Sequence, residues 1–481
     1  MTPGGYFGRA LVVDLDQGSG EVLPLDEHVL RGCIGGAGLG AWLMHRLAPV
    51  QVDPLAPAAP LAFVFSPLVG TPLTTSAKFA VVAKSPLTGR LNDALASSHF
   101  AIAGKLTGHD ALVVRGECSE PSTLLVDRHG ARLEPAGDLW GLSATEAEGR
   151  LRDEHGAGWR VAAIGPAGER LVRFATVSHD GRHAGRGGLG AVLGAKLLKA
   201  VAVRSAGAPA EVADAARVVA LAKELRERSF GPATAKYREL GTLANLLAFN
   251  TISTLPTRNF QAADFEGASA LAAEDLHEQR AVARDSCASC TIGCEHIYAG
   301  PDGARVRMEY ENVFALGPLC GVSDPDAVMA ASGRCDELGL DTISAGGTIA
   351  WAMECAERGL LDAPWLRFGQ ADALLRALDE IGSRQGLGEL LAEGSRRAAE
   401  VTGGGSERFA PHVKGLELPG YEPRTLQAMA LGLAVNSRGA DTTDPGPTRP
   451  ICPATSTASP ATVATPPRRS RPRTAPRSWT P

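Results

Sequence analysis

Over the first 205 residues the apolar positions come in short runs and not at helical spacing. The stretches 10–15, 62–66, 79–84, 111–115, 122–127, 160–164, 172–177 and 201–203 are short, mostly apolar and bounded by Gly, Pro or Asp. Runs of that kind predict strands. A helix is predicted after Gly35-Gly36-Ala37-Gly38, running through Leu43 to Arg46, and another over 144–154. The segment 204–210 (RSAGAPA) reads as a linker, and beyond it the spacing turns helical. Predicted helices cover 211–228, 325–338, 342–361, 370–381 and 387–401, with Gly339 and Gly386 at stop positions. The fold class expected is α+β. A β-rich unit (1–205) precedes a helical unit (206–415), the start of a further helical unit (416–441) and a tail (442–481).

Composition sharpens the last boundary. The chain has 481 residues, 44% hydrophobic and 21% charged, as in an ordinary globular protein, and a net charge of −5. That charge speaks against nucleic acid as an obligatory partner. Residues 442–481 hold ten Pro, nine Thr, six Arg, five Ala and four Ser with a single acid, Asp444, so they carry +5 and the rest −10. Such a tail cannot bury a core, and disorder is the expectation. No apolar run approaches the ~18 residues of a membrane span, and the start lacks a secretory pattern. Nine Cys, an odd number in so long a chain, do not suggest a secreted disulfide framework. A cytoplasmic location without membrane contact is expected.

Three of those cysteines form Cys287-x2-Cys290-x3-Cys294. Three thiolates in eight residues can wrap one face of a compact metal centre, and soft sulfur selects iron–sulfur or zinc. Gly293 suits unusual dihedrals within such a loop. The spacing leaves three readings open: a cubane cluster with a distant fourth ligand, structural zinc, or buried free thiols. The run Gly185-x-Gly187-x-x-Gly190 lacks the strand before it and the acid after it that a dinucleotide fold requires. It is either a backbone cradle for a phosphate-bearing ligand, with Arg186 nearby, or a glycine-rich turn. Asp336, Gly339, Leu340 and Asp341 fit the end of one helix and the cap of the next. They also fit a carboxylate pair receiving N–H groups from a cofactor ring. Glu309 and Glu311, beside an apolar run, form a solvated pair or include an acid of raised pKa. His99, His109, His183, His296 and His412 show no metal-site spacing.

Several stretches, in order, resemble one family. They are Tyr6-Phe-Gly-Arg9, Lys84-Ser-Pro-Leu-Thr-Gly89, Gly165-Pro-Ala-Gly-Glu169, the glycine run through Gly194, and Asn259-Phe-Gln261. The cysteine run, Glu309-Tyr-Glu311, Cys335-Asp-Glu-Leu-Gly-Leu-Asp-Thr-Ile-Ser344, Leu418-Pro-Gly-Tyr-Glu-Pro-Arg424 and Asn436-Ser-Arg-Gly-Ala-Asp441 complete the set. Together they resemble the tungsten-containing aldehyde ferredoxin oxidoreductases. The resemblance implies a β-rich base under a tungsten (or molybdenum) bis-molybdopterin, covered by two helical domains. It implies oxidation of an aldehyde to a carboxylic acid, with electrons leaving through a 4Fe-4S cluster to ferredoxin or another electron-transfer protein. Carried over, Cys287, Cys290 and Cys294 are cluster ligands. Asp336, Gly339, Leu340 and Asp341 form a pterin-binding motif, and Arg182, Ala184, Gly185, Arg186, Gly187 and Gly188 a pterin loop. Lys78 stands where many members carry Arg near a pterin phosphate, and Glu311 matches a glutamate beside the active site that could assist proton transfer.

The departures also count. Ser97-Ser98-His99 replaces a Gly-Gly pair, and Ala330-Ala-Ser-Gly333 replaces a motif that supplies an inter-subunit metal in some members. The expected active-site His is Thr442, and the second pterin motif, with its fourth cluster cysteine, is missing; the only later cysteine is Cys452. A truncated member with an out-of-frame tail is the resulting expectation. Homo-oligomerisation stays open. The alternatives are an inactive fragment that binds metal, pterin or a partner subunit, a zinc-stapled binding protein, and an enzyme reducing carboxylates or aromatic acyl thioesters.

Overall fold

The computed structural model describes residues 2–205 and 207–442. The tail expectation falls on residues 443–481 and so lies outside the described residues.

Twelve strands build the first part: β1 (Arg9–Asp14), β2 (Ser19–Pro24), β3 (Leu61–Phe65), β4 (Lys78–Lys84), β5 (Leu91–Ser97), β6 (Ala111–Arg115), β7 (Ser122–Asp127), β8 (Gly130–Pro135), β9 (Trp159–Ala163), β10 (Val177–His179), β11 (Arg182–Ala184) and β12 (Leu198–Arg204). They form two six-stranded sheets, in the orders β2-β1-β6-β3-β4-β5 and β11-β10-β9-β12-β7-β8. Pairing is antiparallel except β1 with β6 and β12 with β7.

Side-chain alternation explains the layering. Leu11, Val13, Leu61, Phe63, Phe79 and Val81 face Leu124, Val126, Ala162, Val201 and Val203 across the inter-sheet core. The alternate residues of the first sheet, Val12, Ala62, Val64, Ala80 and Val82, pack on Leu39, Leu43 and Met44 of the helix Gly36–Leu47. Those of the second, Leu125, Val161, Ala163 and Ala202, pack on Ala147 and Leu151 of the helix Ala144–His155. The result is a helix–sheet–sheet–helix stack. Strands buried on both faces read as continuous apolar runs, which is why they were legible.

The second part is helical around a separate core that includes Phe314, Leu316, Ile349, Trp351 and Leu378. Its helices include Ala215–Ser229, Tyr310–Leu316, Pro325–Leu338, Thr342–Glu357 and Ala371–Ser383. Within it lies a three-stranded antiparallel sheet, β13 (Ala281–Asp285), β14 (Glu295–Ala299) and β15 (Arg305–Arg307), where the spacing suggested helix throughout.

Other local expectations shift. The stretch 172–177 is no strand until Val177. Val172, Phe174 and Ala175 instead point into the helical core, so their apolar character serves packing between the two parts. The expected helix 387–401 is two pieces, Gly388–Leu391 and Ser395–Thr402, broken at Gly394 with φ +82°. The helix Ala371–Ser383 ends on Arg384 in the left-handed region, ahead of Gly386.

Candidate functional site

The site forms where the glycine run and the turn after Leu338 are pressed together. Gly339 closes the helix Pro325–Leu338 at φ 76° and ψ 50°, the left-handed cap a glycine supplies without strain. Asp341 caps the next helix, accepting from the Ile343 and Ser344 amides at 3.2 and 3.3 Å. The turn is clamped to the first part by backbone bonds. Thr176 N donates to Gly339 O at 2.9 Å, and Asp341 N donates to Phe174 O at 3.0 Å. A Cβ on Gly165 would stand 2.6 Å from Leu338 O, so the approach needs glycine there.

The glycine run serves the same packing. A Cβ on Gly188, Gly190 or Gly194 would come within 1.9, 2.3 or 2.0 Å of the carbonyl oxygens of Arg173, Thr176 and Gly168. These glycines let the short helix Leu189–Gly194 lie against the 165–176 segment. Arg186 points inward. It donates to Glu417 O at 2.6 Å, reaches Asp341 at 3.4 Å and bonds the Ala440 carbonyl. It is therefore committed to protein partners.

Between these elements lies a cavity of about 140 Å³. Glu311, Asp336, Leu340, Asp341 and Gly185 line it, all of them singled out in the sequence. So do Thr176, His183, Arg307 and Asn312, which the sequence did not assign to the site. No spacing rule could have found these four, because they reach the cavity from two separate strands, a loop and a helix. Asn312 is held by its amide donating to Arg307 O at 2.9 Å and Ser332 Oγ at 2.8 Å. Arg182 and Ala184 flank His183, and Arg186, Gly187 and Gly188 continue the chain from Gly185, none of them lining the cavity; Lys78 does not line it either. Lys78 opens β4 directly opposite Ser97.

Electrostatics divide the carboxylates. Burial pushes the Glu311 carboxyl up to about 7; Asp441 and Asp341 add to the rise, while the Gly420 amide and Arg186 oppose it. Gly420 N donates to Glu311 Oε2 at 3.0 Å. Burial would also raise Asp336, but the His183 imidazole and the Arg307 guanidinium outweigh it and hold the carboxyl below the usual range.

The cysteine run is the connection between β13 and β14. It turns tightly, with Cys290 N donating to Cys287 O at 3.0 Å, and Ser289 and Gly293 take φ of 55° and 64°. Two neighbours anchor it. Thr75 N donates to Ser289 O at 2.6 Å, and Thr291 lies 2.9 Å from Thr74 and 2.5 Å from Ser229, hydroxyl to hydroxyl. All three cysteines are half-buried. Burial raises the Cys294 thiol; Glu309 and the other two cysteines add to the rise, and Arg182 opposes it. Glu295, next to Cys294, pairs with both Arg182 and Arg307, which joins the cysteine loop to the cavity wall.

These residues can be tested against the groups the sequence suggested. One tetrahedral zinc, with bonds of about 2.3 Å, places its sulfurs about 3.8 Å apart. Among the described residues the one group of three ligand atoms within 4.8 Å of one another is Glu134, Glu154 and His155, and the cysteines do not gather that closely. At the cavity, acceptors on Asp336 and Glu311 and an open Gly185 backbone fit a ring bearing N–H groups. The cavity's volume is below the ~300–1,000 Å³ of a typical ligand site. Eight cysteines are described, none in a disulfide, and no helix among the described residues is long and apolar enough to cross a membrane.

Comparisons with known proteins agree with this arrangement. The family model of the aldehyde ferredoxin oxidoreductase N-terminal domain matches residues 10–205, and that of domains 2 and 3 matches residues 219–469. The tungsten-containing aldehyde ferredoxin oxidoreductase of Pyrococcus furiosus is 37% identical over 446 residues, covering 90% of this chain and 73% of its own length. The aliphatic sulfonate oxidoreductase, WOR-like subunit, of the same organism is 30% identical over 473 residues, covering 91% of this chain and 75% of its own. A solved structure titled the active site complex BamBC of benzoyl coenzyme A reductase, with 1,5-dienoyl-CoA, superposes with a TM-score of 0.78 at 28% identity. That match covers 87% of this chain and 66% of the solved one, so the chain spans just under two thirds of that length. The chain belongs to the aldehyde ferredoxin oxidoreductase family, a family of oxidoreductases with tungsten-containing members.

Proposed function

We propose that the chain oxidises an aldehyde to a carboxylic acid at a tungsten centre held by two pterins, and passes the electrons through a 4Fe-4S cluster to a ferredoxin-type acceptor. When bound, the metal supplies two-electron redox chemistry and the cluster a one-electron outlet. Cys287, Cys290 and Cys294 would hold the cluster through thiolate sulfur. Asp336 would accept N–H groups of a pterin ring, with Gly185 leaving the backbone open beside it. Arg182, paired with Glu295, would sit between the two groups. Glu311 keeps one carboxylate oxygen tied to Gly420 N and leaves the other for the cavity. A carboxyl near 7 can take and return a proton at neutral pH, which the release of protons in aldehyde oxidation requires.

The observation that carries the reading is convergence. Glu311, Asp336 and Gly185, far apart in sequence, line one cavity, and the Arg182–Glu295–Arg307 bridge joins that cavity to the cysteine loop. The test is aldehyde-dependent reduction of a one-electron dye by anaerobically purified protein. The expected result is turnover lost on Glu311→Gln with iron content unchanged. Full activity in that variant would refute the role of Glu311.

A second reading, reduction of a carboxylate or an aromatic acyl thioester, is favoured by the superposition on the benzoyl coenzyme A reductase complex. Dye oxidation that depends on an acyl thioester, without aldehyde-dependent dye reduction, would select it.

A further inference from the structure

Asp336 occupies an unfavourable place for an acid. It lies in the last turn of the helix Pro325–Leu338, where the helix dipole presents its negative end. It also stands on a wall between two spaces: the 140 Å³ cavity on one side and a cleft of about 830 Å³ on the other. Arg170, Arg305 and Arg334 line the cleft, with Arg334 paired to Asp379 and Glu337. What faces it on the cavity side is His183, whose Nε2 lies 3.0 Å from Asp336 Oδ1. That imidazole is itself fixed. His183 sits opposite Ser178 in the β10–β11 ladder, and Ser178 Oγ meets its Nδ1 at 2.8 Å, with Thr176 Oγ1 3.2 Å from Ser178 Oγ.

We propose that His183 is a positioning residue that turns the Asp336 carboxylate toward the cavity and keeps it there as an acceptor for a ring N–H donor such as a pterin. This rests on the reading of the cavity as one end of the pterin site. The hydroxyls of Thr176 and Ser178 hold the imidazole, its Nε2 stands 3.0 Å from the carboxylate, and the carboxylate receives the ligand. Without His183, Asp336 keeps Arg307 on the cavity side but meets the arginines of the cleft on the other.

The charge balance gives a pH signature. The basic groups around Asp336 are His183 from β11, Arg307 and Arg305 from β15, Arg334 on its own helix, and Arg170 in the cleft. The acidic groups are Glu309 and Glu311 from the start of the helix Tyr310–Leu316, Asp341 beyond the turn, Glu337 alongside, and Glu146 and Asp379 in the cleft. His183 is the largest influence lowering the carboxyl, against the burial that raises it. Its removal should let Asp336 protonate at higher pH. The titration of Glu311 is common to all variants, so differences between them isolate His183.

The test is tungsten and pterin retained by the intact protein after equilibration at stepped pH, for wild type, His183→Ala and His183→Gln. The readout is metal content and pterin fluorescence, independent of turnover. Expected is an acid release midpoint at higher pH in His183→Ala than in wild type. His183→Gln, which keeps a donor but no charge, should show full loading near neutral pH with the same raised midpoint. Unshifted midpoints in both variants, with wild type holding tungsten and pterin, would overturn the positioning role alone. A uniform loss at every pH would also overturn it, by showing a purely structural part. Wild type without tungsten or pterin at any pH would overturn the reading of the cavity as well.

Discussion

Replacing Glu311 by Gln should stabilise the protein, and only at high pH. The carboxyl is raised from an ordinary 4.5 to about 7, first by burial and then by Asp441 and Asp341. Between those values the folded state binds a proton that the unfolded state has released. Stability therefore falls as pH rises through that window, and the full penalty stands above about 7. The interval corresponds to about 3 kcal/mol at about 1.4 kcal/mol per pH unit. Glutamine keeps an oxygen for the Gly420 N–H at the position of Oε2 and carries no charge. The assay is the thermal midpoint of ligand-free wild type and Glu311→Gln in matched buffers from pH 5 to pH 8. Near pH 5 the midpoints should lie close together, and they should diverge as pH rises. At pH 8 the variant should melt about 6–12 °C higher, taking about 2–4 °C per kcal/mol. A constant offset across the range, or a variant less stable at pH 8, would refute both the raised carboxyl and its cause.

Gly190→Ala should destabilise by about 1–3 kcal/mol or more, because its Cβ would stand 2.3 Å from Thr176 O; a denaturation midpoint equal to wild type would show that the segment can yield. Asp110→Asn should cost about 3–5 kcal/mol in urea unfolding, since it leaves Lys105, wholly buried, without its counter-charge beside the Phe7 and Gly8 amides. His179→Phe should flatten the acid side of the stability profile. Burial, with His183, Arg182 and Arg307, lowers the His179 imidazole to about 3, so the unfolded state alone takes up its proton below about 6.5. Wild type then loses stability through that range and the Phe variant, its ring set against Phe79 and Phe100, should not. Equal acid limbs would contradict this.

The parts legible in the sequence were those with a local cause. The sandwich strands announced themselves because they are buried on both faces, as in β3, where every residue is buried. The Gly339 cap and the Asp341 N-cap follow from residue type and spacing alone. Signals failed where the cause lies elsewhere in the chain. β5 carries polar Asn92 and Asp93, and β13 is largely exposed, so neither shows alternation. The apolar stretch 172–177 looked like a strand because burial against another domain leaves the same trace as burial in a sheet. His183 and Arg307 acquire meaning only through Asp336 and Glu295, which reach them from the helix Pro325–Leu338 and from β14. Arg186 looked free for a phosphate, yet its partners are Asp341 and the backbone of residues 417 and 440.

The central claim is that the cysteine loop and the cavity serve a cluster and a tungsten-pterin group. It is tested most directly by quantifying iron, zinc, tungsten and pterin in anaerobically purified protein, beside Cys290→Ser. The expected result is about four irons with tungsten and pterin per wild-type chain, and iron lost in the variant. Zinc in place of iron, with neither tungsten nor pterin, would contradict it.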